Sequence, residues 1–146
     1  MSILSKERIQ LGGRAADRSD AIRQAGQLLV QTGCVKPEYI DGMLGREQSM
    51  STYLGSGVSI PHGLFENREH ILKTGISVLQ LPTGVEWDAG EEKAYLVIGI
   101  AASSDEHVGV LASLAEAIED EEVTRLLIET TDPEIILKYL SGSEAE

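Results

Sequence analysis

The chain has 146 residues, of which 24 are acidic and 12 basic, for a formal charge of −12; 42% are hydrophobic and only 4% aromatic. This length fits one domain with a core of Ala, Leu, Ile and Val. The charge, with no Lys/Arg cluster, excludes a nucleic-acid binder or an anionic membrane surface and favours encounter with a basic protein face. The single Cys34 excludes an internal disulfide or a thiolate metal cluster. No run approaches the roughly 18 apolar residues of a membrane helix, so a cytoplasmic chain without membrane insertion is expected.

In chain order, "SDAIRQAGQLLVQTG" puts Ile22, Ala25, Leu28 and Leu29 on one helical face, with Ser19 as cap and Gly33 as stop. In "KPEYIDGMLGRE" Pro37 suits a first helical position and Ile40, Met43 and Leu44 share a face, giving a second helix that ends near Arg46. The pattern changes in "TYLGSGVSIPHG", where Gly55 and Gly57 break regular structure, Val58 to Ile60 form a short strand and Pro61 ends it. "TGISVLQL" has strand composition, and "LPTGVEWDAGEE" has the turn residues of an exposed excursion. Residues 94–102, "AYLVIGIAA", are apolar on both faces and predict a central strand covered by helices on both sides.

That strand feeds a helix in "SSDEHVGVLASLAEAIED", with Val108, Leu111, Leu114, Ala115 and Ile118 at helical spacing and Ser103, Ser104 or Asp105 as cap. "DEEVTRLLIET" and "TDPEIILKYL" predict two shorter helices, the last opened by Asp132 as cap and Pro133 as first residue. Residues 1–141 then form the domain, and residues 142–146, small and acidic, a disordered tail or the start of a linker. Interleaved helices and strands give an α/β fold with one sheet and helices on both faces.

His62 lies between Pro61, whose φ is restricted, and Gly63, which lets the backbone approach a neighbouring group. Its side chain is expected to be presented at a strand end. From the tripeptide alone it reads equally as a turn histidine bonded to the backbone and as a nucleophilic or ligating imidazole. His107 falls in the first turn of the helix after the central strand, where free N–H groups favour an anion. Taken alone it is a solvated helix-start residue, but two histidines after two strand ends lie where open α/β sheets build their sites. His70 reads as a surface residue. Arg46 either complements its helix C-terminus or neutralises an oxyanion with its planar fork of donors. Metal-ligand spacing, a nucleophile elbow and nucleotide-binding motifs are missing, and "GSG" reads as a turn.

Three segments in order, "GREQSMSTYLGSGVSIPHG" (45–63), "LKTGISVLQLPTGVEW" (72–87) and "VIGIAASSDEHVGVLASLAEAIED" (97–120), resemble the enzyme IIA domains of the fructose–mannitol branch of the bacterial phosphoenolpyruvate-dependent sugar phosphotransferase system. The likeness covers residues 8–140. It implies a mixed sheet sandwiched between helices, no cofactor and no metal. It also implies phosphorylation of His62, on Nε2, with His107 assisting at the phosphoryl group and Arg46 stabilising its charge. The implied donor is phospho-HPr or a fused HPr-like domain, and the implied acceptor a cysteine of a sugar-specific IIB domain. "GIAASSDEH", "PTGVEW" and "GREQ" look closer to fructose-type than to mannitol-type domains. A mannitol-type component and a regulatory IIA-like protein that signals through its phosphorylation state are the alternatives.

Overall fold

The structure, a computed structural model, describes residues 4–49, 51–63, 69–88, 92–102 and 104–140, without the side chains of 88, 92 and 104–108. The tail at 142–146 and the candidate cap Ser103 lie outside these residues. Among the described residues five strands, β1 (Ile9–Gln10), β2 (Tyr53–Gly55), β3 (Val58–Ser59), β4 (Gly75–Asp88) and β5 (Glu92–Ala101), form one mixed sheet in the order β1-β4-β5-β3-β2. Within the same described residues five α-helices flank it: α1 (Arg18–Gln31), α2 (Glu38–Ser49), α3 (Ser104–Glu119), α4 (Glu121–Glu129) and α5 (Pro133–Leu140). This is the expected α/β sandwich. Among the described residues no helix is long and apolar enough to cross a membrane.

The doubly apolar β5 occupies the middle of the sheet because both of its faces need cover. Leu96, Ile98 and Ile100 pack with Val110, Leu114, Ile118, Leu127, Ile136 and Leu140 of α3, α4 and α5. Val97 and Ala101 turn the other way, onto Ala21, Ile22, Ala25 and Leu29 of α1 and Tyr39 and Met43 of α2. Each fully buried Leu or Ile contributes roughly 1.5–3 kcal/mol, so this alternation fixes the strand's position in the sheet. Leu114 and Ile118 of α3 are buried as expected, with Leu111 packed against the same core; Val110 is buried as well, and Ala115 is exposed where burial was expected.

Local signals set most helix ends. Gly33, at φ 79°, closes α1 with its N–H on the Val30 carbonyl at 3.1 Å, and Cys34 N–H reaches the Leu29 carbonyl at 2.9 Å, the two bonds of a left-handed helix stop. The start of α1 differs from expectation. Asp17, not Ser19, is the cap, its Oδ1 accepting from Asp20 N–H at 2.8 Å, and Ser19 lies inside the first turn. Asp132 caps α5 as expected, accepting from Glu134 N–H at 3.0 Å, and Asp120 caps α4.

Two long-range effects lengthen elements beyond their sequence signals. Helix α2 continues past Arg46 to Ser49, because Glu47 is held in the interior. Strand β4 runs through the predicted excursion to Asp88: Val85 and Trp87 are buried against the α1–α2 side, and the Pro82–Gly84 turn residues are absorbed in a register shift between Gln80 and Val85. Strands β1 and β2 were not anticipated. The "GSG" turn joins β2 to β3, with Ser56 and Gly57 both at positive φ.

Candidate functional site

Strand β3 runs parallel to β5, and the pairing reappears past Pro61 as an isolated bridge between His62 and Ile100. Ile100 N–H donates to the Pro61 carbonyl at 3.0 Å. Pro61 lacks an N–H but keeps its carbonyl, so the chain can rejoin the ladder one residue later. His62 therefore sits near the C-terminal end of β5, the end from which α3 departs. His107 is the fourth residue of α3, so its backbone lies at this same end; its side chain is outside the described residues.

The His62 ring is turned back on its own strand. Nδ1 is 2.8 Å from the Ile60 carbonyl oxygen. A carbonyl can only accept, so Nδ1 carries the proton, and in the neutral form of the ring the lone pair is on Nε2. This bond explains why the residue is only 8% exposed, where a presented side chain was expected. The backbone bond does not by itself decide between a turn histidine and a nucleophilic or ligating imidazole, because it engages Nδ1 alone.

Gly63 meets the group its small size allows for. Its N–H donates to the Tyr39 hydroxyl at 2.9 Å, and a Cβ there would stand 2.6 Å from Tyr39 Cε1. The Tyr39 hydroxyl in turn donates to the Ile100 carbonyl at 2.9 Å. Burial raises the Tyr39 pKa above its ordinary value, opposed by the smaller effect of the Gly63 N–H. The phenol therefore stays protonated and able to donate.

Arg46 lies half-buried in the last turn of α2. Its neighbour Glu47 is 4% exposed, and its carboxylate accepts Thr52 N–H at 2.9 Å, Thr52 Oγ1–H at 2.6 Å and Trp87 Nε1–H at 2.8 Å. Thr52 then accepts Ile60 N–H at 3.0 Å. Hydrogen bonds thus run from the end of α2, beside Arg46, through Thr52 and Ile60 to the His62 ring. His70, expected at the surface, is only part-exposed, with Nε2 3.9 Å from Glu69 and a buried Nδ1; its carbonyl accepts Lys36 N–H, which fixes it to the turn before α2.

Tyr39, Glu47 and Thr52 were not singled out from sequence. Tyr39 offered one signal, an aromatic in the first turn of a helix in an aromatic-poor chain. Glu47 looked like any charge on a polar helix face. What the arrangement can do is hold one imidazole nitrogen at a strand end beside the start of a helix, where N–H groups favour a bound anion.

Comparison with known proteins bears on this chemistry. Residues 2–143 match the family described as "Phosphoenolpyruvate-dependent sugar phosphotransferase system, EIIA 2". The multiphosphoryl transfer protein of Escherichia coli O157:H7 is 46% identical over 141 residues, which cover 97% of this chain and 37% of that protein. The mannitol-specific EIICBA component of Pasteurella multocida is 44% identical over 142 residues, covering 96% of this chain and 23% of that protein. The chain thus spans well under half the length of these relatives. Among solved structures, the complex of enzyme IIAMTL and phosphorylated enzyme IIBMTL from Escherichia coli aligns with a TM-score of 0.90 at 44% identity, covering 95% of this chain and 97% of that one. The chain belongs to the EIIA 2 family of the phosphoenolpyruvate-dependent sugar phosphotransferase system.

Proposed function

We propose that the chain is a phosphoryl carrier that takes a phosphoryl group from phospho-HPr, or from a fused HPr-like domain, onto Nε2 of His62 and passes it to a cysteine of a sugar-specific IIB domain. The observation that carries this reading is the Nδ1–H bond to the Ile60 carbonyl. It holds the ring, keeps the lone pair on Nε2 and makes that nitrogen more electron-rich. In the first step the lone pair forms the N–P bond as the donor's bond to phosphorus breaks and its electron pair returns to the donor. In the second a thiolate forms the S–P bond and the N–P electron pair returns to Nε2. The Nδ1 proton stays in place throughout.

Charge spreads over the equatorial oxygens in such a transfer, so catalysis is positioning and electrostatic stabilisation. Arg46, with its planar fork, and His107, at the start of α3, are the groups proposed for those oxygens. The link from the end of α2 to the His62 ring supports the role of Arg46. The shared sheet end of His62 and the α3 N-terminus supports that of His107.

A mannitol-type IIB domain is the favoured acceptor. The fructose-type reading of "GIAASSDEH", "PTGVEW" and "GREQ" finds no support in the relatives reported above, since those of them whose names carry a sugar are mannitol proteins. Incubation with phosphoenolpyruvate, enzyme I and HPr is expected to give an acid-labile, base-stable adduct that transfers faster to mannitol-type than to fructose-type IIB. Label retained by His62→Ala would refute the site, and preferential transfer to fructose-type IIB would reverse the choice of acceptor.

A further inference from the structure

In a regular parallel ladder a residue bridged to Ile100 is tied on both sides: Ile100 N–H bonds the preceding carbonyl, and the Ile100 carbonyl accepts from the following N–H. The first tie is present, from Ile100 N–H to Pro61. Both ends of the second go to one phenol, which accepts from Gly63 N–H and donates to the Ile100 carbonyl, each at 2.9 Å. Tyr39 thus stands in for a rung of the sheet just past His62. It comes from α2, 24 residues from Gly63 and 61 from Ile100 in sequence.

We infer that the Tyr39 hydroxyl is a positioning group for His62: by splicing the β3–β5 ladder it sets the backbone angle at which the imidazole meets a phosphoryl donor. The inference rests on the function proposed above. Tyr39 is 2% exposed, so it meets neither partner and acts only through the backbone on either side of the histidine. Three ties converge on that residue: Pro61 to Ile100, Gly63 through Tyr39 to Ile100, and Nδ1 to Ile60. Without the phenol, the Gly63 peptide is the one end left without its tie. The segment from Ile60 to Gly63 can then rotate, and the ring with it. The raised Tyr39 pKa is consistent with this role, since an ionised phenol could not donate to a carbonyl.

The test is Tyr39→Phe, which keeps the ring against Gly63 and removes only the oxygen. Single-turnover phosphorylation by phospho-HPr is expected to slow about 10- to 100-fold at saturation, the scale of an ångström-level misplacement of a reacting group. The phospho-HPr concentration at half-saturation should stay within about twofold, because a buried hydroxyl makes no partner contact. In the unphosphorylated protein, ¹⁵N spectra of the His62 ring should show a mixture of tautomers in place of the Nδ1–H form, and the Gly63 amide should lose protection from exchange. Saturated transfer within about twofold of wild type, together with an unchanged ring spectrum, overturns the inference. A purely structural role would lower the melting temperature while leaving both readouts intact at temperatures where the variant is folded. If Tyr39→Phe does not fold, 3-fluorotyrosine at position 39 keeps the shape and weakens the oxygen as an acceptor, and a smaller change in the same direction is expected; no change refutes the role. Failure of the wild type to accept phosphate at all would sink the proposed function, while the ring and amide spectra would still decide whether Tyr39 holds His62.

Discussion

Glu47 makes the strongest stability prediction, because its carboxylate is buried and each oxygen has a defined donor. One oxygen accepts from Thr52 Oγ1–H, the other from Thr52 N–H and Trp87 Nε1–H. Glu47→Ala strands two N–H donors in the interior, at about 1–3 kcal/mol each, and leaves a cavity where the carboxylate was. The expected loss is about 4 kcal/mol, or roughly 8–16 °C in melting temperature for a chain of this size. Glu47→Gln should behave differently. The amide can turn its oxygen to the two N–H donors and its NH₂ to the Thr52 hydroxyl, which rotates to accept, so only the charge assistance is lost, at about 1 kcal/mol. Urea unfolding followed by fluorescence measures both variants, because Trp87 is the only tryptophan and its indole N–H is one of the bonded groups. The native emission of Glu47→Ala should also shift as that bond is lost. An alanine variant within about 1 kcal/mol of wild type, or a glutamine variant as unstable as the alanine one, would refute the hydrogen-bond account.

Gly63→Ala places a Cβ 2.6 Å from Tyr39 Cε1, where ordinary contact begins at 3.4 Å; it should cost roughly 1–3 kcal/mol by overpacking and slow phosphorylation of His62, and a variant with wild-type melting and transfer would contradict the close approach. Gly109→Ala, in α3 with nothing within 4 Å of the added Cβ, should instead stabilise by about 0.5–1 kcal/mol in thermal melts. Asp120→Ala removes an acceptor that serves Glu122 N–H and Val123 N–H and should cost about 1 kcal/mol, recovered in large part by Asn. Tyr39 gives a pH signature. Its pKa is raised above the ordinary value of 10.0 in the folded state, so the stability it contributes is fully present below pH 10 and is lost as pH rises through the folded pKa, because the unfolded chain releases that proton first. Above pH 10, wild type should lose up to about 1.4 kcal/mol per pH unit more than Tyr39→Phe, and equal alkaline slopes would rule this out.

What the sequence alone determined were the features governed by short spans of chain. The period of apolar residues placed α1, α2 and α3, and an apolar run placed the doubly buried β5. The backbone limits of Gly33 and Pro133 and the capping side chain of Asp132 set helix ends, and Pro61 with Gly63 marked His62 as a supported strand end. Each depends on sterics or spacing within a few residues. The tertiary structure decided whatever depended on a distant partner. Strand β4 extends through turn-forming residues because Val85 and Trp87 find a core to enter. The two-residue β1 exists because Val78 and Leu79 pair with it. Ala115 points outward because the sheet sits beneath Val110, Leu114 and Ile118. The supports of the site belong to the same class: Tyr39 reaches Gly63 and Ile100 from another helix, and Glu47 reaches Trp87 across 40 residues. A hydroxyl or carboxylate has no fixed value in a sequence, because its contribution is set by the donors and acceptors that folding brings within 3 Å and by the water it excludes.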